Sequence, residues 1–161
     1  MTPLSQETDA VHEIPAPVRA WHAVVDAVDP TTRDALLARL LAPEVVFRSP
    51  AVHAPAQGRD LATAYLRAAM TVLGPTLHYG RQLLGPRSAC LEFRADLDGV
   101  QVHGVDLLAW DEGGRLVEFT VMVRPLRGLQ ALVSRMQTQL SAGPDASEAP
   151  GAHDARREGP A

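Results

Sequence analysis

Residues 88–124 read SACLEFRADLDGVQVHGVDLLAWDEGGRLVEFTVMVR, and their punctuation decides the fold. Two turn signals divide the stretch, Asp98-Gly99 and Asp111-Glu112-Gly113-Gly114, which predicts strands over 88–97, 100–110 and 115–124. Asp-Gly between alternating apolar residues marks a two-residue hairpin turn. It sets Leu97 opposite Val100, and from there Ala95 opposite Val102, Phe93 opposite Gly104, Leu91 opposite Asp106 and Ala89 opposite Leu108. The second turn sets Trp110 opposite Arg115, Leu108 opposite Val117, Asp106 opposite Phe119 and Gly104 opposite Val121. Strand side chains alternate faces. One face therefore carries Leu91, Phe93, Ala95, Val102, Gly104, Leu108, Val117, Phe119, Val121 and Val123, with Asp106 in their midst. The other carries Glu92, Arg94, His103, Val105, Leu107, Glu118, Thr120 and Met122. That mixture is too apolar for a plain solvated surface and reads as a subunit contact. Cys90 shares this outer parity and reads as an inert thiol.

Upstream the period changes. Val18, Trp21, Val24, Val25 and Val28 recur at helical spacing over about 17–28. Asp29-Pro30 then reads as an N-cap followed by Pro at the first helical position. Leu36, Leu37, Leu40 and Leu41 form the apolar stripe of that second helix. Val45-Val46-Phe47 is a short strand ended by Ser49-Pro50, and a Pro-rich loop runs from Ala51 to Gly58. Leu61, Tyr65, Ala68, Ala69, Val72 and Leu73 predict a third helix stopped by Gly74-Pro75. A further strand spans 76–84, and Leu126, Leu129, Leu132, Val133, Met136 and Leu140 make a closing helix. Helices followed by a strand meander argue an α+β fold, with helices packed over the concave face of a curved antiparallel sheet. The division expected is a flexible tail over 1–14, one domain over 15–141 and a disordered tail over 142–161, where Ala, Gly, Pro and charge leave little to bury.

Composition removes several functions. The chain has 161 residues, of which 46% are hydrophobic and 21% charged, as in ordinary globular proteins. All 15 basic residues are Arg, and Lys and Asn are absent, which excludes Lys Schiff bases and P-loop lysines. The net charge of −4 belongs to the tails, and the segment between them carries 13 Arg against 12 acids. No basic face argues for nucleic acid. A single cysteine allows neither an intrachain disulfide nor a CxxC site. The N-terminus MTPLSQETDAVHE lacks the pattern of a secretory signal, and no apolar run approaches the ~20 residues that span a bilayer. A cytoplasmic protein with no membrane association is the expectation. His22, His53, His78 and His103 show no metal-ligand spacing, so no metal is expected.

Two segments, FRSPAVHAPAQGRDLATAYL (Phe47–Leu66) and GVDLLAWDEGGRLVEFTVMVRPL (Gly104–Leu126), carry a family resemblance. The second holds Gly-x-Asp, then an aromatic, an acidic Gly turn, and an Arg with an apolar-Glu pair. The layout resembles the nuclear transport factor 2-like superfamily, and its SnoaL-like family in particular, over about residues 15–140. The resemblance implies a cone-shaped fold, a pocket between sheet and helices, and a homodimer through the outer sheet face. Polyketide cyclases, ketosteroid isomerase, limonene epoxide hydrolase, scytalone dehydratase and non-catalytic binders share that fold, and fold alone does not choose among them. The chain departs from the family twice. It has none of the Asn used in the epoxide hydrolase and dehydratase sites, and Phe119-Thr120-Val121 stands where many SnoaL-like members read His-Trp-Asp.

What remains is one acid. A carboxyl on an apolar face is costly to ionise, its pKa rises, and it can serve as general acid or base. The expected function is cofactor-free isomerisation or cyclisation of a carbonyl compound, with Asp106 as the catalytic residue. The expected pocket is apolar, a few hundred Å3 in size, and takes a small hydrophobic molecule. Trp21, Phe47, Arg48, Tyr65, His78, Arg81, Phe93 and Phe119 are the candidate ligand-binding residues. The competing reading is a non-catalytic ligand-binding or accessory dimer in which Asp106 is ion-paired to Arg81 or Arg48.

Overall fold

The hairpin at Asp98-Gly99 forms because both residues take left-handed backbone angles, with φ of 53° and 84°. That is the geometry a two-residue turn between twisted strands requires. In the computed structural model, which describes residues 13–142, this turn joins β4 (Ser88–Leu97) to β5 (Val100–Trp110). The register is the one expected from Leu97–Val100 back to Ala89–Leu108, with Leu91 opposite Asp106.

The next hairpin is longer than expected. Asp111 N–H donates to Arg115 O (2.9 Å), and Arg115 N–H donates to Asp111 Oδ1 (2.9 Å), so Asp111 closes the loop with its own side chain. Trp110 therefore pairs with Leu116 at the start of β6 (Leu116–Arg124), and a bulge follows before Ala109 pairs with Glu118. Asp106 lies opposite Val121, not Phe119, and Gly104 lies opposite Val123. The offset is two residues, so parity survives beyond the bulge and Phe119 still faces the core. Leu116 is buried where Val117 was expected.

The remaining elements build on this meander. These are α1 (Ala16–Asp26), α2 (Pro30–Leu40), β1 (Leu41–Arg48), β2 (Ala56–Gln57), α3 (Arg59–Leu73), β3 (His78–Leu84) and α4 (Leu126–Ala142). Asp29 caps α2, its carboxylate accepting from Thr32 N–H at 2.7 Å. The sheet order is β2-β1-β6-β5-β4-β3. The meander β3–β6 is antiparallel as expected, while β1 runs parallel to β6 with Phe47 beside Phe119. The two-residue strand β2 falls inside the expected Pro-rich loop, too short to show an alternation. The tails expected over 1–14 and 142–161 fall almost wholly outside the described residues.

Trp21, Leu37, Phe47, Leu66, Leu91, Leu108 and Phe119 belong to one buried cluster under α1, α2 and α3. Phe93, Leu97, Val102, Leu132 and Met136 belong to a second under α4. Both lie on the sheet face predicted to be the core. Gly104 matters to that packing, since a Cβ there would come within 2.4 Å of Phe93 Cζ and 2.5 Å of Met122 O. The missing side chain lets the Phe93 ring lie across β5. Gly104→Ala should destabilise the protein by about 1–3 kcal/mol, because ring and backbone must both move. Denaturant unfolding of the variant measures the loss.

Candidate functional site

Asp106 is the one buried charged or polar residue of the described core, 5% exposed. Its strand parity puts it among apolar neighbours, with Leu91 beside it on β4 and Val121 on β6. Its hydrogen-bond partner comes from the sheet edge. Tyr79 sits opposite Phe93 on the inner face of β3, and its phenol reaches over β4 to donate to Asp106 Oδ2. Trp21 Nε1–H, from α1, donates to the same phenol oxygen at 2.7 Å. The result is a directed chain, Trp21 to Tyr79 to Asp106.

Aromatic rings hold the chain in place. Trp21 meets Phe119 edge-on at 4.8 Å, and Tyr79 meets Phe93 edge-on at 6.3 Å. His22 packs edge-on against Tyr79 at 5.0 Å, with its Nε2 3.1 Å from Gln82 Nε2. Asp106, Tyr79 and Trp21 line a cavity of about 30 Å3. Phe47, Phe93, Phe119 and Val121 complete its sheet side, and Leu66, Ala69, Met70, Leu73 and Leu77 close it from α3 and the turn after it. This is far below the few hundred Å3 expected, because aromatic side chains and Met70 fill the space. It has room for a water molecule and not for a larger one.

Burial pushes the Asp106 carboxyl up to about 7, against the downward pull of the Tyr79 hydrogen bond. Burial, and then the nearby Asp106 charge, raise the Tyr79 phenol well above its ordinary value. A carboxyl near 7 is close to half-protonated at neutral pH, so it can give or take a proton.

Of the candidate residues, Trp21, Phe47, Phe93 and Phe119 line the cavity with Asp106. Tyr65 stacks on Phe47 at 5.6 Å, one layer behind. Arg48, His78 and Arg81 do not reach it. Arg48 follows inward-facing Phe47 and so points outward, pairing with Glu118 at 3.3 Å. His78 is exposed, with Nδ1 3.2 Å from Thr76 O. Strict alternation from Tyr79 would turn Arg81 inward, but a bulge between Tyr79 and Gln82 turns Gln82 inward in its place. Arg81 lies on the outer face, 75% exposed and 3.3 Å from Glu92. The expected ion pair of Asp106 with Arg81 or Arg48 is therefore not formed. Tyr79 is the residue that sequence reasoning passed over. The available signal was its inward parity together with a phenol that burial obliges to find an acceptor. Among the described residues, no group of three or more His, Cys, Asp or Glu side chains could hold a metal ion, and no helix is long and apolar enough to cross a membrane.

The stability consequence has a definite sign. Folding raises the Asp106 pKa from an ordinary 3.8 to about 7, so the folded state keeps the proton to higher pH than the unfolded chain. Stability from this group is full below about pH 4 and is lost as pH rises through about 7, by roughly 4 kcal/mol. Asp106→Asn keeps an acceptor for Tyr79 and removes the buried charge. The variant should gain on the wild type between pH 5 and pH 8 in denaturant unfolding. A variant less stable than the wild type at pH 8 would show a carboxylate that the fold requires.

No family model matches the chain, and no curated protein matches it. Solved structures do. A steroid delta-isomerase from Pseudomonas aeruginosa is 37% identical, with a TM-score of 0.70 over 78% of this chain and 90% of its own. An uncharacterised protein with a cystatin-like fold from Silicibacter pomeroyi is 27% identical, with a TM-score of 0.74 over 84% and 91%. A candidate SnoaL-like polyketide cyclase from Jannaschia shares the fold at 14% identity, with a TM-score of 0.56 over 73% and 92%. The similarity to the steroid delta-isomerase over most of both chains, with the mixed sheet and the helices over its inner face, makes the chain a member of the nuclear transport factor 2-like superfamily, and it shares its fold with the SnoaL-like protein.

Proposed function

We propose that the protein catalyses a cofactor-free isomerisation or cyclisation of a small hydrophobic carbonyl compound, with Asp106 as the acid/base. The observation that supports this most is a buried carboxyl with a pKa of about 7, hydrogen-bonded to Tyr79 and lining an apolar cavity whose wall, among the described residues, holds no cation. The similarity to a steroid delta-isomerase agrees with it. In an isomerisation, the Asp106 carboxylate takes the proton from a carbon next to the carbonyl, and the C–H electron pair moves into the enolate. The neutral carboxyl then returns that proton to another carbon of the conjugated system, and the double bond moves. Atoms and charge balance within the substrate and one side chain. An apolar surround favours this exchange by keeping the pKa values of carboxyl and carbon acid closer than they are in water.

The resting cavity is only the floor of such a site. Substrate entry requires side chains of the α3 wall to yield, and Met70, with its flexible thioether, is the most adaptable of them.

The outer sheet face supports the reading of a homodimer. Leu83 is 63% and Met122 54% exposed, with half-buried Val105 and Leu107 between them. Around these, Glu92 holds His103 Nε2 at 2.7 Å, and Arg124 Nη1 lies 3.2 Å from His103 Nδ1. A second copy of the same face would cover the apolar residues.

Two experiments test these proposals. Asp106→Asn should lower turnover of β,γ-unsaturated hydrophobic ketones by about 10²–10⁴-fold while the protein stays folded. A wild-type protein that is thermally stabilised by such ketones without converting them would be a binder, and the absence of both effects would remove the pocket reading. Met122→Glu should shift the mass in solution, read by light scattering, from two chains toward one; a wild type of one chain's mass would end the dimer proposal.

A further inference from the structure

The chain ending at Asp106 has a direction, and the direction has a source. An indole N–H can only donate, whereas a phenol can donate and accept, and a carboxyl accepts with both oxygens when ionised. Trp21 Nε1–H occupies the Tyr79 oxygen at 2.7 Å, and the phenol proton has Asp106 Oδ2 as its acceptor.

We propose that Trp21 is a positioning residue for Asp106, acting through Tyr79. Its N–H fixes the polarity of the chain, so that Tyr79 offers its proton to Oδ2 and the carboxyl carries its own proton on Oδ1. Trp21 thereby decides which oxygen of Asp106 is free to exchange a proton with a molecule in the cavity. The arrangement belongs to the resting protein and is tested without a substrate; only its use in catalysis rests on the function proposed above.

The surroundings offer no competing control. Met70 of α3, Phe93 of β4 and Phe119 and Val121 of β6 are uncharged walls, and Leu91 is the uncharged strand neighbour of Asp106. His22 of α1 lies against the Tyr79 ring and is engaged with Gln82 of β3. Among the described residues, no Arg, Glu or second Asp lines the cavity.

Removing the indole N–H frees the phenol oxygen to accept a hydrogen bond from protonated Asp106. It also makes Tyr79 a weaker donor to the carboxylate. Both changes favour the neutral carboxyl. The test is the pH titration of the Asp106 carboxyl carbon by NMR, with the signal assigned by its loss in Asp106→Asn. Tyr79→Phe should titrate above the wild type, and Trp21→Phe should lie between the two. The double variant should titrate with Tyr79→Phe alone, since Trp21 acts only through the phenol. Trp21→Phe also removes core volume. A second arm therefore replaces Trp21 with benzothienylalanine, which keeps the shape and lacks the N–H, in a Trp110→Phe background; it should reproduce the upward shift. A Trp21 variant that titrates like the wild type would overturn the proposal. So would an effect that persists undiminished beside Tyr79→Phe, because that would be a packing effect and not a relayed one.

Discussion

Parity along β5 is the constraint from which the site follows. The left-handed pair at Asp98-Gly99 leaves a single register for β4 against β5, and a slip of one residue would send every side chain to the opposite face. Leu108, Val102 and Asp106 share that parity, so the residues that build the core carry the acid in with them. The fold cannot bury Val102 and Leu108 and leave Asp106 in water. Tyr79 makes this tolerable, because one hydrogen bond to an otherwise unsatisfied carboxyl removes part of the desolvation penalty.

Among the described residues no cation lines the cavity, and that decides the state of the acid as much as its burial does. A guanidinium beside Asp106 would hold it ionised across the whole neutral range and fix it as a structural anion. Arg48 and Arg81 are instead engaged by Glu118 and Glu92 on the other side of the sheet. The sheet thus separates two electrostatic environments. The inner face holds one carboxyl and a phenol in an apolar surround, and the outer face holds the charge network of Glu92, His103, Arg94 and Arg124. The Glu92 carboxyl is held below its ordinary range, chiefly by the His103 hydrogen bond.

Much of this was legible in the sequence, and the parts that were not share a cause. Turn chemistry and alternation gave the β4–β5 register residue by residue, the helix positions to within a few residues, and Asp106 as the buried acid. The errors of register in the meander sit at irregularities. Arg81 was placed inward because strict alternation was continued through a bulge, and Asp106 was set opposite Phe119 because the Asp111 side chain closes a longer loop. The first of these had a signal in Gly80, since an isolated glycine inside a strand often marks a bulge. Pocket size was illegible for another reason. It depends on how far Phe47, Phe119 and Met70 fill the space between sheet and helices, and side-chain interdigitation leaves no periodic trace.

The bulge that aims Tyr79 inward has a second consequence. β3 is the last strand of the sheet, and a regular edge offers a row of unpaired amides and carbonyls to any passing strand. Between Tyr79 and Gln82 that row is broken, and Arg81 projects from the break with most of its side chain in solvent. An incoming strand would meet a bend and a charge where it needs a straight, neutral ladder. The irregularity that delivers a phenol to the buried acid also keeps the open margin of the sheet from templating aggregation.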